Sequence, residues 1–451
     1  MLGIVYPCPG TYNPTMSSIP STQLLTNSDY RDWFESQTLR RFLRYVQIFT
    51  TSDPHSDTHP TSDNQWQLAR ILIQELEELG ITDVTLTDFC YVIARIPPSP
   101  GYETATPIGF LAHLDTAPDF SGQNVKPKVW ESYDGTPLEL SPGWILDPRD
   151  NPALLDYRNE TLITSDGTTL LGADDKAGIA EIMAALAFLT EHPEFSHGPL
   201  EILFTPDEEV GKGVAKLPVK SLKSTFAYTL DGSAEGTYNA QCFTGYTIGV
   251  TFTGRMIHPG DARGIMANAV TMAGAFIAGL PRSESPEATD GEYGFYCPQE
   301  MSGSMEQAFF RLFIRDFRRE EIDRRLEYLK LLAKTVEAGF PGGKVELSID
   351  KQYLNIKEYI EPHPEVIANL VKAIEATGIP AVPELIRGGT DGARLSELGI
   401  PTPNIFAGGH NFHSRFEWIG LRAMVRAAQV VVNLSCIWAA GGEIAGGEPE
   451  D

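Results

Sequence analysis

Two segments near the start of the chain carry apolar residues at the spacing of an amphipathic helix. The first predicted helix spans residues 36–48, and its apolar face consists of Leu39, Phe42, Leu43 and Val46. The second spans residues 64–79, and its apolar face consists of Leu68, Ile71, Leu72, Leu76 and Leu79. Ser62 or Asp63 is placed to cap the second helix, and Gly80 suits the left-handed residue that ends it. We therefore expect both apolar faces to lie in a hydrophobic core.

Short apolar strands then alternate with helices over residues 84–231. The strands VTLTDFCYVIARI and PIGFLA precede the helix KAGIAEIMAALAFL, and the strands LEILFT and FAYTLD follow it. This alternation is typical of an α/β fold. Three polar clusters, HLD, PDEE and LDG, come at the ends of strands in this series. Because open α/β sheets bind ligands at the carboxyl ends of their strands, we expect the functional site at this edge.

The pattern changes after Cys242. Residues 243–355 contain the strands YTIGVTFTG, FYCPQEMSG, AFFRLFIRDF and KVELSIDKQYL, together with helices over NAVTMAGAFIAGL and EEIDRRLEYLKLLAKTVEAG. This combination predicts a compact α+β insert. The α/β pattern resumes with a helix over residues 364–377, the strand PNIF and a last helix over residues 421–439. We therefore expect a discontinuous α/β domain over residues 36–242 and 356–440.

The two ends of the chain lack apolar periodicity. Residues 1–35 are rich in Pro, Ser, Thr and Asn, which predicts a loose extension, and Met16 is an alternative to Met1 as the first residue. Residues 441–451 are acidic and rich in glycine, which predicts a flexible tail.

Composition narrows the choice of partners and compartment. The chain has 451 residues, 60 acidic and 35 basic, and its formal net charge of −25 repels phosphate backbones and anionic lipid. We therefore expect neither nucleic acid nor a membrane as a partner. The five cysteines are odd in number and widely separated, which fits neither a disulfide framework nor a thiolate zinc cluster. Reduced thiols, and a start MLGIVYPCPG without a cationic and then apolar stretch, indicate a cytoplasmic protein.

The pairs His113–Asp115 and Asp174–Asp175 are ambiguous when each is taken alone. His113 and Asp115 in FLAHLDT end a predicted strand, and residues two apart on a strand point to the same side. The carboxylate could orient the imidazole of a metal ligand, although a surface histidine beside an aspartate is the simpler interpretation. Asp174 and Asp175 in LLGADDKAG open a predicted helix, where carboxylates are often only caps.

Three adjacent carboxylates, Asp207, Glu208 and Glu209 in FTPDEEVGKG, follow the strand LEILFT. Their mutual repulsion favours a nearby cation over a solvated turn. A metal could bind one carboxylate while an uncoordinated neighbour takes a proton from water. Asp231 in YTLDG adds an oxygen ligand, and His413 in GGHNFHSRFEW adds a nitrogen ligand. Together these clusters favour a metal site with a general base.

Seven strings within residues 36–440 resemble the peptidase T family of tripeptide aminopeptidases, which are co-catalytic zinc peptidases. They are FLAHLDT, TLLGADDKAGIAEIM, FTPDEEVGKG, HPG, FIRDF, IRGGTDGARLS and PNIFAGGHNFH, and they are collinear with the family pattern. Ser414 and Arg415 depart from it, because glycine and lysine are expected there. The resemblance implies an α/β catalytic domain with a central mixed sheet flanked by helices. It also implies that residues 243–355 form a ferredoxin-like lid domain that supports a homodimer.

The resemblance further implies two Zn²⁺ ions per chain. His113 and Asp231 would bind one ion, Glu209 and His413 would bind the other, and Asp174 would bridge them. Such nitrogen and oxygen ligands suit zinc. A cis peptide bond after Asp174 is also implied and would aim its carboxylate at both ions.

Other roles follow from the same resemblance. Glu208 would be the general base, and Asp115 would fix the tautomer of His113. His410 is expected at the rim of the pocket rather than among the ligands. The remaining histidines lie in polar loops and are expected to face solvent: His55, His59, His192, His197 and His363.

Four residues are implied to contact the substrate. Arg315 and Arg387 could hold the terminal carboxylate of a peptide, since guanidinium offers a planar pair of donors. His258 and Asn268 could reach the scissile carbonyl or the backbone from the lid. The expected activity is release of the N-terminal residue from short peptides, with tripeptides as the favoured length.

Several alternatives share nearly the same metal ligands: a two-zinc dipeptidase, a carboxypeptidase or an N-acyl amino acid deacylase. Asp231 favours an aminopeptidase or dipeptidase, because the other relatives often have glutamate at that position. A catalytically inactive peptide-binding protein is a further alternative, although all five ligands and the base are present.

Overall fold

The computed structural model describes residues 24–441. Within this range the chain forms nine α-helices: α1 (Arg31–Val46), α2 (Gln65–Glu78), α3 (Ala173–Glu191), α4 (Ala269–Ala278), α5 (Arg319–Gly339), α6 (Lys357–Ile360), α7 (Pro364–Ala376), α8 (Asp391–Glu397) and α9 (Leu421–Ala439). The strands of the first half are β1 (Asp83–Leu86), β2 (Val92–Ile96), β3 (Ile108–His113), β4 (Lys128–Trp130), β5 (Leu138–Ser141), β6 (Trp144–Leu146), β7 (Leu162–Thr164), β8 (Leu200–Thr205) and β9 (Phe226–Gly232). Those of the second half are β10 (Thr237–Asn239), β11 (Thr244–Thr253), β12 (Phe295–Gly303), β13 (Gln307–Asp316), β14 (Lys344–Tyr353), β15 (Val382–Pro383), β16 (Asn404–Phe406), β17 (Gly409–His410) and β18 (Trp418–Gly420).

A mixed eight-stranded sheet forms the centre of the α/β part, as predicted. Its strand order is β1-β2-β8-β3-β9-β16-β10-β15. Strands β8, β3, β9 and β16 run parallel to one another. Their carboxyl ends therefore meet at one edge of the sheet, which is where ligands bind in folds of this kind.

Helices cover both faces of this sheet, because its central strands are apolar on both sides. Phe110 and Ala112 of β3 belong to a core that includes residues of α1, α2, α3, α7 and α9. Leu111, one position along, points to the opposite face and belongs to a second cluster with Leu395 of α8. The alternation of side chains along a strand explains this division.

A second sheet, entirely antiparallel, has the order β12-β13-β11-β14. Helices α4 and α5 pack on one of its faces and share a separate hydrophobic cluster with it. Buried Asn355 joins the two chain segments that lead into and out of this unit. Its Oδ1 accepts the N–H of Cys242 at 3.1 Å, and its own N–H donates to Thr244 Oγ1 at 3.0 Å.

A small four-stranded sheet, β17-β18-β7-β4, and the hairpin β5-β6 lie beside the His413 segment. They were not predicted, because strands of two to four residues are too short to show a period. Their side chains form a cluster that contains Leu140, Leu162 and Trp418.

The N-terminal helices differ from prediction at their starts. Helix α1 begins at Arg31, inside the segment that the sequence assigned to a loose extension. Leu25 is only 1% exposed, and its N–H donates to Asn433 of α9 at 2.7 Å. The predicted cap of α2 is wrong, since neither Ser62 nor Asp63 but Asn64 precedes the helix, without a side-chain cap. The predicted left-handed glycine after α2 is confirmed, because Gly80 has φ 81°.

The long strand predicted over residues 84–96 is instead the antiparallel pair β1 and β2, which a turn at Cys90 separates. In the part of the chain that the structure describes, Cys90, Cys242, Cys297 and Cys436 are free thiols. Between residues 24 and 441 no helix combines the length and apolarity needed to span a bilayer. Cys8, most of the predicted extension and nearly all of the predicted acidic tail lie outside the described residues.

Candidate metal centre

The carboxylate of Asp174 lies between two histidines at the carboxyl edge of the main sheet. Its Oδ1 is 2.8 Å from His113 Nε2, and its Oδ2 is 3.1 Å from His413 Nε2. The peptide bond between Asp174 and Asp175 is cis, as the family resemblance implied. One carboxylate thus presents a separate oxygen to each imidazole.

Two further carboxylates complete two groups of three side chains. One group is His113, Asp174 and Asp231, and the other is Asp174, Glu209 and His413. Within each group the possible ligand atoms lie within 4.8 Å of one another. His113 Nε2 is 3.8 Å from Asp231 Oδ1, and His413 Nε2 is 3.0 Å from Glu209 Oε2. The structure therefore brings together all five side chains that the sequence suggested as ligands.

The pKa values of the clustered side chains are shifted from their usual values. Burial and the neighbouring Asp174 raise the pKa of Glu209 to about 7. Burial also raises the pKa of Asp231 well above its usual value. The hydrogen bonds of His413 with Asp174 and Glu209 raise its pKa to about 11. Glu209 Oε1 is buried without a hydrogen-bond partner. Two divalent cations would compensate these carboxylates, and the nitrogen and oxygen donors fit zinc.

Glu208 lies beside the cluster without belonging to either group. Burial and the negative charge of Asp231 raise its pKa well above the usual value for glutamate. Among residues 24–441 its carboxylate has no hydrogen-bond partner. It is therefore a free carboxylate next to the candidate metal ligands, which is the position a general base needs.

Asp115 contacts both His113 and the backbone of Glu208 and Glu209. Its main-chain oxygen is 3.1 Å from His113 Nδ1, closer than its carboxylate at 3.5 Å. The carboxylate instead accepts the N–H of Glu208 at 3.0 Å on Oδ1 and the N–H of Glu209 at 3.1 Å on Oδ2. The shorter contacts of the Asp115 side chain are thus with the backbone that carries Glu208 and Glu209, while His113 Nδ1 contacts both the main-chain oxygen and the carboxylate of Asp115.

Asp207 anchors the same backbone from the other side. Its carboxylate accepts hydrogen bonds from the N–H and hydroxyl of Thr61 and from Gln65 Nε2, at 2.5 to 2.9 Å. His59 Nδ1 is 3.0 Å from it, and His59 Nε2 is 2.9 Å from the hydroxyl of Tyr91. The prediction that His59 faces solvent is wrong, because its side chain is only 7% exposed.

Two other histidines are also more buried than their sequence context suggests. His197 is 8% exposed, so the expectation of a solvent-facing residue is wrong there too. His410 stacks on Trp418 with ring centroids 4.0 Å apart, and burial lowers its pKa to about 4. It belongs to neither ligand group.

Within the described chain no hydrogen bond or ion pair joins the four suggested substrate contacts to the candidate ligands. Asn268 caps α4 through its Oδ1, and His258 Nδ1 accepts the N–H of Gly260 at 3.1 Å. Arg315 lies over the rings of Phe313 and Tyr353.

Arg387 and Arg315 differ in how much of the guanidinium the protein already uses. Arg387 donates to Thr289 O, Thr289 Oγ1 and Tyr293 O through both terminal nitrogens. Arg315 donates through Nη1 to the main-chain oxygens of Tyr246 and Ile314, and its guanidinium also interacts with the hydroxyl of Tyr353. Among residues 24–441, Nε and Nη2 of Arg315 donate to no main-chain oxygen and form no ion pair with a carboxylate.

Sequence reasoning missed Asp391, in the string IRGGTDG, which is buried at the start of α8. Burial raises its pKa to about 7. A Cβ atom placed on Gly213 would lie 1.9 Å from its Oδ1, so Asp391 packs directly on the loop that follows Glu208 and Glu209. The only sequence signal was one more acidic residue after a glycine pair.

Comparison with known proteins gives a consistent picture. Residues 164–435 match the model of "Peptidase family M20/M25/M40". The chain is 44% identical to "Peptidase T" of Geobacillus kaustophilus over 402 residues, which cover 89% of this chain and 98% of that one. The crystal structure of "aminopeptidase PepT" from Bacillus cereus superimposes with a TM-score of 0.70 at 22% identity, over 90% of this chain and 99% of that one. A "tripeptidase" from Staphylococcus aureus gives 0.71 at 22% identity over the same shares.

Proposed function

The chain belongs to peptidase family M20/M25/M40 and, within it, to the peptidase T family, and we propose that it is a two-zinc aminopeptidase that releases the N-terminal residue of short peptides, above all tripeptides. The observation that carries the proposal is Asp174, whose two oxygens each face one histidine, with Glu208 free beside them. His113 and Asp231 would hold one zinc ion, Glu209 and His413 would hold the other, and Asp174 would contribute to both positions.

The pair of zinc ions would polarise the carbonyl of the first peptide bond and acidify the attacking water. Glu208 takes the proton of that water as it adds to the carbonyl carbon. Glu208 then gives the proton to the leaving nitrogen while the C–N bond breaks, which frees the N-terminal residue and the shortened peptide. Asp115 keeps the backbone of Glu208 in place for both transfers, through its hydrogen bonds at 3.0 and 3.1 Å.

Recognition of a short peptide requires a second contact at a fixed distance from the metal pair. Arg315 offers the Nε and Nη2 edge described above, which matches a carboxylate with two parallel hydrogen bonds. Arg387 donates to the main-chain oxygens of Thr289 and Tyr293 and so holds their loop in place. Its Nε remains available to the same substrate carboxylate. His258 and Asn268 contact the substrate backbone when the lid closes.

We further propose that residues 243–355 are this lid, and that residues 36–242 and 356–440 are the catalytic domain. The separate sheet and hydrophobic cluster of the insert support this division. Its sheet also exposes Met301 by 52% and Ile349 by 42%, which supports a homodimer through this unit. Free thiols at the described cysteines support a cytoplasmic location.

The test compares substrates of defined length and terminus. Release of the first residue is measured on di-, tri- and tetrapeptides of one sequence series, alongside hydrolysis of N-acyl amino acids. We expect tripeptides to give the highest kcat/KM and blocked amino termini to abolish turnover. Faster hydrolysis of N-acyl amino acids would assign the protein to the deacylases, and equal rates on long peptides would refute length selection.

A further inference from the structure

Glu417 is a buried glutamate four residues after His413, and only 1% of it is exposed. It precedes Trp418 at the start of β18, and its N–H donates to Ser414 O at 3.2 Å. Its side chain reaches across to the segment that leads into α3. That segment ends in Asp174, which lies 243 positions earlier in the chain.

The carboxylate of Glu417 accepts four successive backbone N–H groups. Oε2 accepts those of Leu171 at 2.7 Å and Gly172 at 2.8 Å. Oε1 accepts those of Ala173 at 2.7 Å and Asp174 at 3.2 Å. The first N–H groups of a helix have no partner within it, and a negative charge there is favourable.

The backbone is shaped for this contact. Gly172 has φ 82° and ψ 30°, a left-handed conformation that turns neighbouring N–H groups toward one point. Each oxygen of Glu417 therefore accepts two hydrogen bonds. An ionised carboxylate can do this because it has acceptor atoms only and no donor.

We propose that Glu417 is a positioning residue that fixes the bridging Asp174 against His413 and so sets the affinity of both metal positions. The proposal rests on the two-zinc function described above. Glu417 lies on the segment of His413, while its oxygens hold the segment of Asp174. One side chain thus ties together two ligand-bearing segments that are distant in sequence.

The carboxylate of Asp174 is shared by both candidate metal positions, so the proposal can be tested at each of them. Asp174 belongs to both ligand groups, so a shift of residues 171–174 must also weaken the position formed with His113 and Asp231. No residue of the Glu417 segment belongs to that position. A loss confined to the His413 position would mean that Glu417 supports only its own loop.

Glu417→Gln is the informative variant, because it keeps the size of the side chain. Its amide nitrogen would face two N–H donors, so two of the four hydrogen bonds are lost. Zinc is titrated into metal-free protein in competition with a chromophoric chelator, which resolves the two binding steps. We expect both steps to weaken by about 10- to 100-fold, as is typical when the support of a metal ligand is removed.

Glu201→Gln is the matched control. Glu201 is also a buried carboxylate that accepts backbone N–H groups, from Lys223 at 2.9 Å and Ser224 at 3.1 Å. It lies in the first half of β8, whereas Glu208 follows the other end of that strand. We expect this variant to lose stability while binding zinc as the unaltered protein does.

The outcomes distinguish failure of the proposed two-zinc function from failure of the positioning role of Glu417. If the unaltered protein binds fewer than two zinc ions, the proposed function fails. If it binds two, and Glu417→Gln binds both within about twofold of it, the positioning role is refuted. An equal loss in Glu201→Gln refutes it as well. Should Glu417→Gln not fold, zinc affinity is measured on Glu417→Asp, which keeps the charge but is too short to reach all four N–H groups. Zinc binding by Glu417→Asp within about twofold of the unaltered protein would then refute the positioning role.

Discussion

Replacing Asp115 with asparagine tests how the backbone of Glu208, the proposed general base, is held. Asp115 is fully buried, and its two oxygens accept the N–H groups of Glu208 and Glu209. Asparagine has one acceptor oxygen, so at least one of these hydrogen bonds is lost. A hydrogen bond to a charged group contributes about 1.5–3 kcal/mol. About 1.4 kcal/mol corresponds to a tenfold change in rate. Loss of one hydrogen bond that stabilises the transition state therefore lowers kcat about 10- to 100-fold.

The assay combines steady-state kinetics on a tripeptide with zinc analysis of the same sample. We expect kcat to fall while zinc stays near two per chain, because the main-chain oxygen of Asp115 still orients His113 at 3.1 Å. Asp134→Asn is the control, since Asp134 accepts the N–H of Thr136 in an exposed turn. An unchanged kcat would show that these hydrogen bonds do not hold Glu208 in its working position. Loss of zinc would show that the carboxylate acts through His113 instead.

Three further predictions concern single side chains. Glu208→Gln should lower kcat by about 10²- to 10⁴-fold while zinc content stays near two per chain, and loss of metal would mean that Glu208 and Glu209 have exchanged roles. The pKa of His410 is about 4 in the folded protein and about 6.5 in an unfolded chain. The unfolded state therefore binds the extra proton between these values, so stability falls as the pH drops from about 6.5 to 4, by about 3 kcal/mol for this group. His410→Phe should reduce that slope in urea unfolding of metal-free protein, and an unchanged slope contradicts the assignment. Gly213→Ala should destabilise the protein by about 1–3 kcal/mol, because its Cβ would overlap the carboxylate of Asp391, and a neutral effect in the same unfolding assay contradicts this packing.

Elements with a strong hydrophobic period could be predicted closely from the sequence. The observed helix α9 spans Leu421–Ala439 and the observed strand β8 spans Leu200–Thr205, in agreement with the predicted limits. Their apolar residues are numerous and regularly spaced, so local pattern and tertiary packing favour the same structure. The edge of the sheet that carries His113 could be located in the same way.

Contacts between distant segments could not be predicted. Glu417 lies in the string GGHNFHSRFEW, and nothing local shows that its partners are the N–H groups of residues 171–174. His59 looks like a loop histidine until Asp207 and Tyr91 are placed around it. Such roles depend on tertiary structure, because a carboxylate or imidazole has the same local pattern whether it meets water or a buried partner.

We propose that peptide hydrolysis depends on two metal ions held by the five clustered side chains. The most direct test is to remove metal with a chelator and then to follow tripeptide hydrolysis while zinc is returned in measured equivalents. This dependence predicts no turnover in the metal-free protein and full activity at two zinc ions per chain. Turnover that survives complete metal removal would contradict it.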